Sequence, residues 1–345
     1  MTRYVIVGAG AVGVSLAVEL ADRGHHTLVV AHGNPLHHFA THPLVYRTAA
    51  GVRTIRLPVA AGTGNLGFEP GDILILAVKS QHVARAAQSL AWHDVRDPDG
   101  TPLGVAAEHI PVVTVQNGLD AERAAARWFD TVLGATLVLS VGYEHLGEIR
   151  SGIEPRTGAV FAGLANDTAG IGKAVLETFV EDLRHAHFRA EQVTDIRSYK
   201  ATKLVYSVTN GLEVLGGSAA DKARVGAALI AEARSVLTAA GIPVHPLTAL
   251  VPDATPDATY RATDARQSTW QSFARGADTN EVDYLNGEIA LIARENGLEA
   301  PANSALQRLL GRATRHGGGL DLPGLDTLAA LLPADCGEPG AQRSD

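Results

Sequence analysis

The chain has 345 residues, of which 46% are hydrophobic and 19% charged, and a formal net charge of −8. That length exceeds what one ordinary core encloses and implies two domains, while the apolar content excludes a disordered chain. The acidic balance excludes a sequence-independent grip on nucleic acid, which needs a basic face, and the single cysteine, Cys336, excludes an internal disulfide framework.

In chain order, "YVIV" (4–7) reads as a short buried strand, "GAGAVG" as a glycine-rich turn, "VSLAVELADRG" as a helix stopping at Gly24, and "TLVV" (27–30) as a second strand. Further apolar strands are expected at "DILILAV" (72–78) and "PVVTV" (111–115), with a helix at "QHVARAAQSLA" after the first. Continuous apolar strands alternating with helices predict a parallel sheet covered on both faces. The polar stretch "HDVRDPDGTPLG" (93–104) reads as a surface insertion, and residues 134–164 as strands interrupted by glycines. The helix "KAVLETFVEDLRHA" closes the first half.

From about residue 192 helical periodicity takes over, in "AALIAEARSVLTAAG", "NEVDYLNGEIALIARENG" and "NSALQRLLGRATRHG". The expected organisation is a Rossmann-type dinucleotide-binding domain over 1–190, an all-α domain over 191–332 and a mobile tail over 333–345, an α/β fold overall. "MTRYVIVGAG" enters a strand within three residues, leaving no room for a signal peptide, and no apolar run approaches the roughly 20 residues of a membrane span. A cytoplasmic protein without membrane attachment is expected.

Gly8, Gly10 and Gly13 form G-x-G-x-x-G between a strand and a helix. The first glycine permits the tight turn, the second lets backbone approach a pyrophosphate, and the third lets helix and strand pack closely. Ala11 and Val12 open the helix whose N–H groups face the anion. The alternative is an incidental glycine turn. After the second strand an acidic residue would bind the ribose of NAD, but the chain reads "VVAHGN", with His32. That favours NADP, against the alternative of an ordinary loop histidine. Lys79 in "AVKS" and Asn117 in "VQNG" each follow a strand end, where open α/β sheets bind ligands, although both also suit turns. His25, His26, His37, His38 and His42 show no E-x-x-H or cysteine pattern, so no metal is expected.

Arginine supplies most of the positive charge, with 24 arginines against five lysines. Lysine can give up a proton where arginine cannot, which marks Lys79 and Lys203 for attention. Read as a helix, "KATKLVYSVTNG" (200–211) sets Lys203, Ser207 and Asn210 on one stripe and Leu204, Val205, Val208 and Leu212 on another. Lys203 is then either the solvated side of that helix or a cleft residue. Asp278 and Glu281 have the spacing of a capping box, an ordinary structural explanation for "DTNEVDYLNGE".

Taken in order, these features resemble the ketopantoate reductase (2-dehydropantoate 2-reductase) family over nearly the whole chain. They are Gly8 to Gly13, Lys79, Gln116-Asn117-Gly118, Asp195-Ile196 leading to Lys203-Leu204, and Ser268 before "EVDYLNG" with Glu281, Asp283, Tyr284 and Asn286. The resemblance implies a Rossmann-type NADP domain, a helical second domain and a substrate cleft between them. It implies NADPH-dependent reduction of a 2-oxo acid, by default ketopantoate to pantoate in pantothenate biosynthesis. Lys203 is then the general acid, Glu281 its partner and substrate ligand, and Ser268 a substrate contact. Asn117 holds the nicotinamide side and contacts substrate, Lys79 and His32 lie toward the adenosine end, and Ser207 and Asn210 line the cleft. Dimers are common in the family, which admits a homodimer here.

The chain also departs from the family pattern. Family members usually place asparagines four and eight residues after the lysine, where this chain has Ser207 and Gly211, with Asn210 one place early. His32, Ala201 and Ser272 replace a frequent arginine, tryptophan and aspartate. Two alternatives therefore stand beside the default: a member retuned to another carbonyl or imine in a specialised pathway, and a non-catalytic dinucleotide-binding sensor.

Overall fold

The apolar runs of the first half become strands of one large sheet. In chain order the strands are β1 (Arg3–Val7), β2 (His26–Ala31), β3 (Leu44–Thr48), β4 (Gly51–Ile55), β5 (Val59–Ala61), β6 (Asp72–Leu76), β7 (Asp94–Arg96) and β8 (Pro102–Val105). They continue with β9 (Val112–Thr114), β10 (Thr131–Leu139), β11 (Val141–Gly142), β12 (Glu148–Ser151), β13 (Ile153–Glu154), β14 (Gly158–Asp167), β15 (Phe188–Gln192) and β16 (Thr255–Pro256). The computed structural model describes residues 2–48, 50–64, 66–139, 141–143, 145–151, 153–154, 156–250, 255–256, 270, 280–315, 324–325 and 328. The chain divides into two compact units, Met1–Lys200 with Pro246–Ala265, and Ala201–His245 with Arg266–Asp345.

The first unit is built on an eight-stranded sheet of order β15-β14-β10-β9-β6-β1-β2-β5. Helices α1 (Ala11–Asp22) and α6 (Gly172–His185) cover one face. Helices α3 (Val83–Ala91), α4 (Ala106–His109) and α5 (Ala121–Ala125) cover the other. Strand β1 shows why the run is apolar throughout: Tyr4 and Ile6 pack with Leu16, Leu20 and Phe179, while Val5 and Val7 pack with Leu74, Val83 and Leu90. A strand buried on both faces cannot alternate with polar residues. Each such side chain contributes about 1.5–3 kcal/mol through burial.

The expectation of a parallel sheet needs correction at one end. Strand β14 runs antiparallel to β10, and β15 is parallel to β14. The described residues between β10 and β14 include strands β11, β12 and β13 and no helix, and a return without a crossover helix lays the second strand antiparallel. The 93–104 stretch forms the β7–β8 hairpin. A smaller sheet of order β11-β12-β3-β4 adds Leu44, Tyr46 and Ile149 to the core beside α1. Helix α2 (Gly33–Thr41) follows β2 directly.

Helix α7 (Ile196–Ser207) begins in the first unit, and the division between units falls within it, after Lys200. In the second unit α8 (Ala219–Ala239) packs with the helices Asn286–Glu295 and Pro301–Arg315. Helix α8 starts well before the expected apolar run, because the Ser218 hydroxyl accepts the Asp221 backbone N–H as an N-cap. The single helix expected from Asn280 to Gly297 is two elements: a 3-10 turn, Glu281–Tyr284, and the helix from Asn286, with Leu285 between them at φ −111°, ψ −84°. No helix among the described residues is long and apolar enough to cross a membrane.

Candidate active site

Strand β1 lies between β2 and β6, and β9 follows β6, all parallel. The loops that carry Gly8–Gly13, His32, Lys79 and Asn117 therefore leave the same carboxyl edge, where open sheets bind ligands. The three glycines have distinct reasons to be there. Gly8 has φ +122°, and a Cβ on it would lie 2.6 Å from the Ala77 carbonyl oxygen. A Cβ on Gly13 would lie 2.1 Å from the Gly8 oxygen, while one on Gly10 meets nothing within 4 Å. Two glycines close the turn and the third opens a solvent-facing cradle at the start of α1. Ala11 and Val12 are half-buried there, and no side chain caps the helix. Backbone N–H groups and the helix dipole are thus offered to an anion, a donor set that fits a dinucleotide pyrophosphate.

His32 is exposed and in extended conformation at the start of α2, just past the end of β2. Lys79 is half-buried before the 3-10 turn Ser80–His82. Gln116 is buried, and its amide donates to the Leu76 carbonyl (2.6 Å) and the Val78 carbonyl (2.9 Å). Ser80 Oγ donates to the Asn117 carbonyl at 3.2 Å. The Q-N-G tripeptide thus joins the ends of β6 and β9 and presents a half-buried Asn117. The sequence reading valued Asn117 and gave Gln116 no role, although a buried amide beyond paired strand ends is a natural clamp.

Behind this loop Glu122 Oε1 accepts Thr114 Oγ1 at 2.5 Å and pairs with Lys200 Nζ. The Lys200 side chain is only 1% exposed. Asp195 Oδ1 accepts the Ser198 backbone N–H, which caps the start of α7.

In the second unit Lys203 is half-buried on α7 and Glu281 is 6% exposed at the start of its 3-10 turn. Ser207 is buried as the last residue of α7. The helix expected to carry Asn210 on the Lys203 stripe ends before it. Asn210 instead opens a separate 3-10 turn, Asn210–Val214, because the chain tightens after Ser207. A Cβ on Gly211 would lie 2.5 Å from Leu310 Cδ1, so that position faces apolar packing and has no room for a polar side chain. Ser268, Ser272 and Asp278 lie outside the described residues. The start that Asp278 was expected to cap is capped by Asn280, whose Oδ1 accepts the Val282 N–H at 2.8 Å. Among the described residues no group of three or more His, Cys, Asp or Glu could hold a metal ion.

The sheet and its glycine cradle define a dinucleotide-binding α/β protein with an appended helical unit. The family model described as ketopantoate reductase PanE/ApbA matches residues 4–157, and that of the ketopantoate reductase PanE/ApbA C terminal matches 195–314. The chain belongs to the ketopantoate reductase family. The family assignment supports NAD(P)-dependent reduction of a 2-oxo acid and makes the chain an oxidoreductase.

Solved structures share the fold at low identity. A PanE/ApbA family ketopantoate reductase from Ralstonia eutropha JMP134 is 21% identical, with a TM-score of 0.68 over 92% of this chain and 99% of that one. D-mandelate dehydrogenase with NADH and anilino(oxo)acetate is 17% identical, with a TM-score of 0.70 over 92% and 99%. A dimeric ketopantoate reductase from Staphylococcus aureus is 16% identical, with a TM-score of 0.64 over 92% and 100%.

Proposed function

We propose that the protein reduces ketopantoate to pantoate with NADPH, with Lys203 as general acid and Glu281 as its partner. The observation that carries this reading is that a family member retains a half-buried Lys203 and a buried Glu281 within one compact unit. The bound dinucleotide supplies hydride to the C2 carbon. Negative charge develops on the C2 oxygen, where the Lys203 ammonium stabilises it and then delivers a proton. Glu281 helps orient the lysine and accepts a hydrogen bond from a substrate hydroxyl. Asn117 orients the nicotinamide side and the substrate, and Ser207, Asn210 and Ser268 contact the substrate. Gly8, Gly10, Ala11, Val12 and Gly13 hold the pyrophosphate, with Lys79 and His32 toward the adenosine end. The exposed His32 in place of a carboxylate supports NADP over NAD. The dimeric relative supports a homodimer, with the reaction expected in the cytoplasm.

A second reading has its own support. Gly211 faces Leu310 and cannot lend a polar group, and Ser207 is shorter than asparagine. A pocket poorer in polar contacts suits a 2-oxo acid, or another carbonyl or imine, less hydroxylated than ketopantoate.

The experiment is dinucleotide oxidation by purified protein, with NADPH and NADH, on ketopantoate and a panel of other 2-oxo acids. Fast ketopantoate turnover with NADPH that falls about 10²–10⁴-fold in Lys203→Ala supports the default. Faster turnover of a less polar oxo acid selects the second reading. Turnover that survives Lys203→Ala overturns both.

A further inference from the structure

We infer that Asn286 and Asn280 are positioning residues that fix the Glu281 turn against the end of α7, through a polar stripe on the helix Pro301–Arg315. The inference rests on the roles proposed above for Lys203 and Glu281.

Asn303, Gln307 and Thr314 are spaced four and seven residues apart, which aligns them on one face of a helix. Each engages a different point of the Glu281 segment. Asn280 Nδ2 donates to Thr314 Oγ1 at 2.6 Å, Gln307 Nε2 donates to Asp283 Oδ1 at 2.9 Å, and Asn286 Nδ2 donates to Asn303 Oδ1 at 2.9 Å. Asn303 is itself held, because Glu232 Oε1 of α8 accepts both its backbone N–H and its Nδ2, each at 2.8 Å. Glu281 is thus bracketed by two buried asparagines that are tied near opposite ends of one helix.

Asn286 carries the link onward. Its Nδ2 also donates to the Val208 carbonyl at 2.9 Å, just beyond the last residue of α7. Carbonyls at a helix C-terminus lack intrahelical partners, so this bond satisfies a group the helix cannot. Both amide protons of Asn286 are used, while its buried Oδ1 has no partner among the described residues. The side chain is oriented by its donors at the expense of its acceptor. Leu285 breaks the helical path between Glu281 and Asn286, so the turn's own backbone bond, Leu285 N–H to the Val282 carbonyl, does not continue the helix, and side-chain ties fix the turn's place.

The test compares substitutions with opposite expected signs. Asn286→Ala removes the tie to Val208, and kcat falls about 10²-fold through misplacement, with KM for the dinucleotide unchanged. Asn286→Asp sets a carboxylate against two acceptor oxygens and is worse than alanine. Asn280→Ala also lowers kcat. Asn280→Asp restores it, because the carboxylate still accepts the Val282 N–H and Thr314 can turn its hydroxyl from the Leu310 carbonyl, to which it now donates, onto the carboxylate. Hydrogen exchange over 280–286 accelerates in Asn286→Ala while the rest of the protein keeps its protection. The inference is overturned if Asn286→Ala keeps kcat within twofold of an active parent. It is also overturned if Asn280→Asp behaves like Asn280→Ala, or if only thermal stability changes. A parent that turns over no carbonyl substrate refutes the Lys203–Glu281 reading itself, which is seen before any variant is compared.

Discussion

Lys200 provides the sharpest test of the physical reasoning. Its side chain is 1% exposed and its partner Glu122 14% exposed, so both charges are largely removed from water. Glu122 cannot readily swing outward, because it packs on β10 so closely that a Cβ on Gly134 would lie 3.0 Å from its Cγ. Lys200→Met keeps the chain length but leaves the carboxylate with Thr114 Oγ1 as its donor. Breaking a buried pair from one side costs about 3–5 kcal/mol, because the surviving charge stays desolvated. Native stabilities are about 5–15 kcal/mol, so about a fifth or more of the total is at stake. For a cooperative unit of this size each kcal/mol moves Tm by about 2–4 °C, which gives a fall of roughly 6–20 °C. Urea unfolding followed by circular dichroism gives the free energy directly. The double variant Lys200→Met/Glu122→Gln removes both charges, keeps the bond to Thr114 and recovers most of the loss. A loss under about 1 kcal/mol for Lys200→Met, the scale of an exposed pair, would refute the reasoning. So would a double variant as unstable as the sum of the singles.

Two further outcomes follow from the geometry. Gly13→Ala drives a Cβ to within 2.1 Å of the Gly8 oxygen, so it lowers Tm and raises the dinucleotide Kd. Gly10→Ala meets no protein atom, so it raises the Kd with Tm unchanged, and calorimetry on both variants separates the two effects. The second outcome concerns alkaline stability. Burial and the bond to Asp182 hold the Tyr4 phenol well above its ordinary range, and burial with Glu19 does the same for Tyr46. Unfolded tyrosines ionise near pH 10, so the unfolded chain releases protons that the native state retains. This stability is complete below about pH 10 and declines above it. Unfolding measured across that range should show Tyr46→Phe with a shallower decline than the parent, and equal slopes would contradict the assignment.

The parts of the molecule legible in the sequence are those dictated locally. Gly8 is required by its own φ of +122° and Gly13 by the Gly8 oxygen five residues away, so their pattern announces the loop, although Gly8 also sits against the distant Ala77 backbone. Strand β1, buried on both faces, could only read as an apolar run. The reversal of β14 left no local trace, since strand direction is set by the connection and not by composition. The break at Leu285 is hidden for a related reason: Asn303, Gln307 and Thr314, which bond to the turn, lie 17 to 34 residues downstream of their partners. The α8 start carried a readable signal in Ser218 and Asp221, but the charged turn that follows masked it. Nothing in the periodicity of 200–211 marks the end of α7 at Ser207, so Asn210 reads as part of the helix although it opens a 3-10 turn. Composition drew attention to lysine, yet the partner of Lys200 lies 78 residues away, which no periodicity reports.

The Gln116 clamp has a consequence for how this site can change over evolutionary time. One amide bridges β6 and β9 beyond their last paired residues, doing what two more rungs of ladder would do. The spacing of the strand ends is therefore set by a buried side chain and not by the residues the loops display. Lys79 and Asn117 can then be exchanged without re-solving the sheet beneath them. The residues at positions 79 and 117 become nearly independent variables, open to selection one substitution at a time.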